Sequence, residues 1–138
     1  MKVTMIALSS DAMKVWPDVS GWLEAALEKT NSLLNSEDLR RAVRSGTMRL
    51  WLVQEKAVLL AAFVTEIVRG GRGGAVAIMA LGGENMTRWI ESFSRAMEDY
   101  AKANECRMVI EMGRAGWQRV LERLGWSDGP HVMVKVIR

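Results

Sequence analysis

Cysteine and histidine are nearly missing from this sequence, with one of each, Cys106 and His131, in 138 residues. A lone thiol excludes an internal disulfide framework and suits a reducing compartment. A lone imidazole has no second member at motif spacing for a Cys/His zinc site or a Ser-His-Asp triad, so neither a metal nor that nucleophilic chemistry is expected. No apolar run approaches the roughly 18 residues of a membrane span, and the opening MKVTMIALSS is too short and too soon polar for a signal peptide. No block of five like charges appears, hence no basic arm of the kind that tracks nucleic acid. The expectation is a cytoplasmic protein with no membrane partner.

What is present fits one domain spanning residues 1–138, since 49% of residues are hydrophobic and 25% charged. The net charge of +3 allows a polyanionic partner without demanding one. The pivotal stretch is Ala75 to Trp89, AVAIMALGGENMTRW. An apolar run short enough for a buried strand, Ala75 to Leu81, meets Gly82-Gly83, and a helical pattern opens shortly after. Strand ends followed by helix starts leave backbone N–H groups aimed at one place, where the helix dipole adds partial positive charge. Such a junction either holds an anion, typically a phosphate, or is only a tight turn.

Elsewhere the periodicities are plain. Val3 to Leu8 alternates as a strand, with the cap-type residues Ser9, Ser10 and Asp11 behind it. Pro17 breaks the pattern that follows, and Val19, Trp22, Leu23, Ala26 and Leu27 then recur at helical spacing. Ser36 is placed to cap a second helix with Glu37 and Asp38 in its first turn, an apolar face of Leu39 and Val43, and a stop at Gly46. Arg40, Arg41 and Arg44 form its outer face, solvated or in contact with phosphate or acidic protein.

From Met48 the period becomes two, Glu55-Lys56 makes a short polar break, and Ala57 to Val68 reads as a long central strand. Glu66 interrupts that strand; such a carboxylate either escapes to solvent or sits in a cleft. Arg69-Gly-Gly-Arg-Gly-Gly74 is a turn by composition, with a superficial likeness to RNA-binding RGG tails. Met86, Trp89, Ile90, Phe93, Met97, Tyr100 and Ala101 mark the buried face of a long helix. Cys106 to Met112 is the next strand, carrying Glu111. A turn at Gly113-Arg114-Ala-Gly116, a short helix Trp117 to Leu124, and a final strand His131 to Ile137 complete the order β-α-α-β-β-β-α-β-α-β, a mixed sheet with helices packed on it.

That order resembles the GNAT superfamily of acetyl-coenzyme A-dependent N-acetyltransferases over essentially the whole chain. Trp117-Gln-Arg-Val-Leu-Glu-Arg-Leu-Gly-Trp126 is similar to the ending of the family's fourth helix, and Ala101 to Met112 to the passage from its third helix into its fifth strand. The set Leu50-Trp51, Val64-Thr65-Glu66-Ile67, Leu81-Gly-Gly-Glu84 and Gly113-Arg-Ala-Gly-Trp117 resembles short GNAT-like proteins of tailed phages and prophages.

The resemblance implies an α/β fold whose fourth and fifth strands splay so that the pantetheine arm of acetyl-CoA inserts between them. The pyrophosphate would lie on Gly82, Gly83, Met86, Thr87 and Arg88, and a backbone amide near Leu81 would polarise the thioester carbonyl. Glu66 or Glu111 would serve as base, Glu84 would cap the third helix, and Arg114 and Trp117 would line the acceptor side. Two departures from the family pattern stand in the sequence. Asn85 to Ile90 carries no glycine where the family's loop reads Arg/Gln-x-x-Gly-x-Gly/Ala, so that Trp89 falls at the loop, and Leu121 stands where a tyrosine acid is common. Three functions follow: transfer of an acetyl group to a small-molecule or protein amine, binding of a protein partner without chemistry, or, least in keeping with the charge pattern, association with nucleic acid through Arg69 and Arg72. A phage product would work in the host cytoplasm or in the virion.

Overall fold

The computed structural model describes residues 1–30, 32–111 and 121–126. Among these, five strands form one sheet in sequential order, β1 (Lys2–Met5), β2 (Arg49–Glu55), β3 (Val58–Gly70), β4 (Gly73–Gly83) and β5 (Cys106–Glu111). The first four strands pair antiparallel and β4 pairs with β5 in parallel. Helices α1 (Ser9–Lys29) and α2 (Ser36–Ser45) cover one face of the sheet and α3 (Met86–Ala103) the other. Leu121 to Arg123 are helical, while the first half of the expected fourth helix and the whole expected final strand lie outside the described residues. No helix among the described residues is long and apolar enough to cross a membrane.

Alternation sorts the central strands between two cores. Leu50, Ala62, Val64 and Ala80 face α1 and α2, whereas Trp51, Phe63, Val76 and Ile78 face α3. On the α3 side Phe63 meets Phe93 edge-on at 4.9 Å and Trp51 stacks on Phe63 at 5.3 Å. Thr65, polar within an apolar strand, is explained there: its Oγ1 accepts the buried Trp51 indole N–H at 3.0 Å.

Two local expectations are corrected. Pro17 does not break α1, which runs through it. Proline in a helix interior costs about 3 kcal/mol, but it points to solvent while Ala12, Trp16, Val19 and Leu23 continue one buried stripe across it, and that burial outweighs the lost hydrogen bond. The cap of α2 is Asn35, not Ser36: its side chain accepts from the Asp38 amide and the Asp38 carboxylate accepts from the Asn35 amide, a reciprocal capping box.

Gly82 and Gly83 are strand residues, paired with Ala62 and Ala61, and not a free turn. Both are glycine for want of space. A Cβ on Gly82 would stand 2.4 Å from the Trp22 carbonyl oxygen of α1, and one on Gly83, at φ +156°, would stand 2.4 Å from the Leu60 carbonyl oxygen. Gly21, by contrast, is an exposed helical glycine with nothing near it. In urea unfolding, Gly82→Ala is therefore expected to lower stability by about 1–3 kcal/mol, and Gly21→Ala to raise it by about 0.5–1 kcal/mol. Equal effects of the two substitutions would contradict the close approach of α1 to β4.

Candidate active site

Register fixes how far the described part of β5 runs beside β4. β4 and β5 are paired from Gly74–Cys106 to Ile78–Glu111, and Ala80 to Gly83 have partners on β3 but none on β5 among the described residues. A β-bulge lies at that point, for Val64 pairs with Ala80 and Thr65 with Ile78, leaving Met79 as the extra residue. On the side of this segment away from β3, Leu81 within it, the described residues supply no partner strand. The described pairing stops at the carboxyl ends of the two parallel strands, the usual position of a ligand crevice in sheets of this kind.

The start of α3 stands beyond the same strand ends. Asn85 enters it in the left-handed conformation, at φ +55°, without a side-chain cap, and its first turn holds no acidic residue. The N–H groups of Met86 and Thr87 precede any helical carbonyl that reaches them, so no acidic side chain of the first turn compensates the positive end of this helix. Trp89, although it falls at the loop by sequence, is turned inward. It is 1% exposed in the α3-side core, and its Nε1 donates to the Glu84 carbonyl at 2.7 Å. Met86 is half-buried against the same core.

Several expected site residues have other positions or duties. Gly82 is covered by α1. Glu84 does not cap α3 through its carboxylate; its main chain bonds Leu60 and the Trp89 indole instead. Arg88, expected to supply charge to a phosphate, pairs at 2.5 Å with Glu55 at the end of β2, a long-range contact that no local pattern in the sequence signals. Thr87 and Gly83 are exposed beside the opening. Arg114 and Trp117 lie outside the described residues.

The two carboxylates are not brought together. Glu111 pairs with Ile78, whose side chain enters the α3-side core, while Glu66 pairs with the neighbouring Ala77 and so points to the opposite face. They also stand on β3 and β5, two strands and about 10 Å apart. Glu111 is in the last described paired row, at the carboxyl end of β5 as described. Glu66, half-buried, makes no hydrogen bond or ion pair with a described residue.

Neither a protein-family model nor a curated protein matches the chain by sequence. Solved structures do match it by shape. A GCN5-related N-acetyltransferase from Ralstonia eutropha superposes with a TM-score of 0.71 at 13% identity, over 98% of this chain and 97% of that one. The chain has the GNAT fold. Glucosamine-6-phosphate N-acetyltransferase from Arabidopsis thaliana gives 0.64 at 17% identity, over 99% and 98% of the two chains. An aminoglycoside acetyltransferase from an uncultured soil sample, solved with sisomicin, gives 0.67 at 12% identity, over 99% and 96%.

The position expected for a tyrosine acid is a core position. Leu121 is buried in the α3-side core, and Tyr100, the only tyrosine, is near the other end of α3, edge-on to Trp51 at 4.9 Å. Burial chiefly raises the Tyr100 pKa above its ordinary value of 10.0, with Arg49 pulling it down and Cys106 pushing it up. Because the folded state resists ionising this phenol, its contribution is whole below the unfolded pKa and is lost as pH rises through the folded one. Stability is thus expected to fall above about pH 10 more steeply in the native protein than in Tyr100→Phe. Parallel pH profiles of the two proteins in denaturant unfolding would contradict that placement.

Proposed function

We propose that this protein is an acyltransferase that moves an acetyl group from acetyl-CoA to an amine. The observation that supports it best is that β4 runs on past its last described pair with β5, Ile78–Glu111, to a helix N-terminus without a side-chain cap. An extended amide-bearing arm fits the unpaired edge of β4 as a strand would, and its phosphates fit the Met86 and Thr87 amides. A bound thioester would present its carbonyl to a β4 amide in the segment Met79 to Gly83. The acceptor amine must be neutral to attack. Glu111, at the mouth, is the preferred base, directly or through a water, and the released thiolate takes its proton from solvent. Glu66, on the other face two strands away, is the lesser candidate. Acceptors taken by proteins of the same fold, aminoglycosides and glucosamine 6-phosphate, make a reasonable first panel alongside peptide amines.

A second function is favoured by one specific observation. The family's glycine-containing loop and its tyrosine acid are both absent, the latter replaced by a buried core leucine. A GNAT fold that binds a protein partner without turnover would show that pattern, and the likeness to short phage-borne proteins fits an assembly or host-interaction role. The two functions separate on ligand binding.

Acetyl-CoA at a hundredfold excess over its Kd raises folding stability by about 2.7 kcal/mol, so a clear rise in thermal midpoint is expected. Thr87→Glu places a carboxylate at the α3 N-terminus, where it favours the helix yet repels phosphate, and is expected to abolish the rise without lowering the unliganded midpoint. No rise at millimolar acetyl-CoA would leave the binding protein. With an acceptor in hand, Glu111→Gln is expected to lower kcat by about a hundredfold or more. Full activity in that variant, with a loss in Glu66→Gln instead, would reverse the assignment of the base.

A further inference from the structure

We propose that Trp22 of α1 is a specificity-determining residue that selects acceptor amines with an aromatic body. The inference rests on the acyltransferase reading above and names the class of acceptor.

Helical spacing groups Trp22 with Val19, Leu23, Ala26 and Leu27, but the structure separates it from them. Those four are buried in the core between α1, α2 and the sheet, whereas Trp22 is half-buried at its margin. Helix geometry gives its direction. Met13 faces α2, where its Sδ accepts from Arg40 Nη1 at 4.0 Å, and the nine residues from Met13 to Trp22 make two and a half turns. Glu24, two residues on and so nearly opposite Trp22, also faces α2, its Oε2 accepting from the Ser36 amide at 2.6 Å. Trp22 therefore lies on the flank of α1 turned away from α2. Because α2 meets the sheet at β2 while α1 crosses β3 and β4, that flank is the one toward β5.

Gly82 sets the height of Trp22 along the sheet. A Cβ on Gly82 would stand 3.0 Å from Trp22 Cβ, besides its approach to the Trp22 carbonyl oxygen. Trp22 is thus beside the β4 segment to which the thioester would be presented. Met79, the bulge residue of that segment, is half-buried against the same core. Val15, two turns before Trp22, is half-buried on the same flank. The indoles of Trp51, Trp89 and Trp126 each donate to an acceptor, whereas that of Trp22 donates to no described residue. A ring partly out of the core offers a flat apolar face for stacking, and Met79 supplies an adaptable one beside it.

Nearby charges choose among acceptors. Asp18, one turn before Trp22, and Lys29, two turns after it, are exposed on this flank and balance each other, and Glu66 adds a carboxylate on this face of the sheet. A single ammonium group is favoured there. A sugar phosphate would meet a net negative face, and an aminoglycoside would bring several ammonium groups to a face with one excess carboxylate.

The test uses the full chain and two readouts. With coenzyme A present, titration of isotopically labelled protein with phenethylamine is expected to shift the Trp22 indole N–H resonance, identified as the signal missing from Trp22→Phe. In acetyl transfer from acetyl-CoA, kcat/KM is expected to be higher for phenethylamine than for ethylamine, glucosamine 6-phosphate or an aminoglycoside. Trp22→Leu is expected to lower the phenethylamine-to-ethylamine ratio about tenfold, through KM for the amine, and Trp22→Phe to keep most of it. A thermal midpoint that still rises with acetyl-CoA in Trp22→Leu verifies that the variant folds. The inference is overturned, with the acyltransferase reading intact, if transfer occurs but the Trp22 signal stays still at millimolar phenethylamine. An unaltered ratio in Trp22→Leu, or a preference for the sugar phosphate or the aminoglycoside, overturns it equally. A shifted Trp22 signal without transfer to any amine would instead overturn the acyltransferase reading.

Discussion

The pairing of Ile78 with Glu111 is the last that β4 makes with β5 among the described residues, and the remainder of the site is arranged around that limit. A strand continued past its partner exposes N–H and C=O groups along one edge, which must find water, another strand or a ligand. Here the edge cannot move away to find them. Its other side is zipped to β3 as far as Gly83, and Gly82 is pressed against the Trp22 main chain of α1. The bulge at Met79 bends the strand just past its last described pair with β5.

Both faces of the sheet hold that arrangement in place. On one, α1 packs a continuous stripe over Ala62, Val64 and Ala80; on the other, Trp89, Phe93 and Met97 of α3 pack over Phe63 and Ile78. Turning Trp89 inward has a direct consequence for the site. The bulkiest residue of the helix entry becomes core, and the amides before it stay accessible. Folds alike at TM-scores of 0.64 to 0.71 but only 12% to 17% identical keep this framework.

Much of the framework was legible in the sequence because periodicity carries it. Strands β2 to β5, the stripe of α3 and the order of elements as far as β5 follow from alternation and helical spacing, since each element buries one face. What was illegible depends on contacts distant in sequence. Pro17 reads as a breaker because its local cost is visible and the burial that offsets it is not. Gly82-Gly83 reads as a phosphate-binding turn because glycine signals space without saying whether a ligand or a helix backbone occupies it. Glu66 and Glu111 look equivalent, each a carboxylate within an apolar strand, and only the inter-strand register sets them on opposite faces. Arg88 reads as free charge because Glu55 is a long way back along the chain.

Amide hydrogen exchange along Met79 to Gly83 tests the central claim most directly. Without ligand, the amides of this segment that are not bonded to β3 are expected to exchange much faster than those of Val76 to Ile78. With saturating coenzyme A they are expected to become protected along with Met86 and Thr87. Slow exchange through the whole of β4 without ligand, or no new protection with it, would show that the edge is closed and contradict the opening on which the acyltransferase assignment depends.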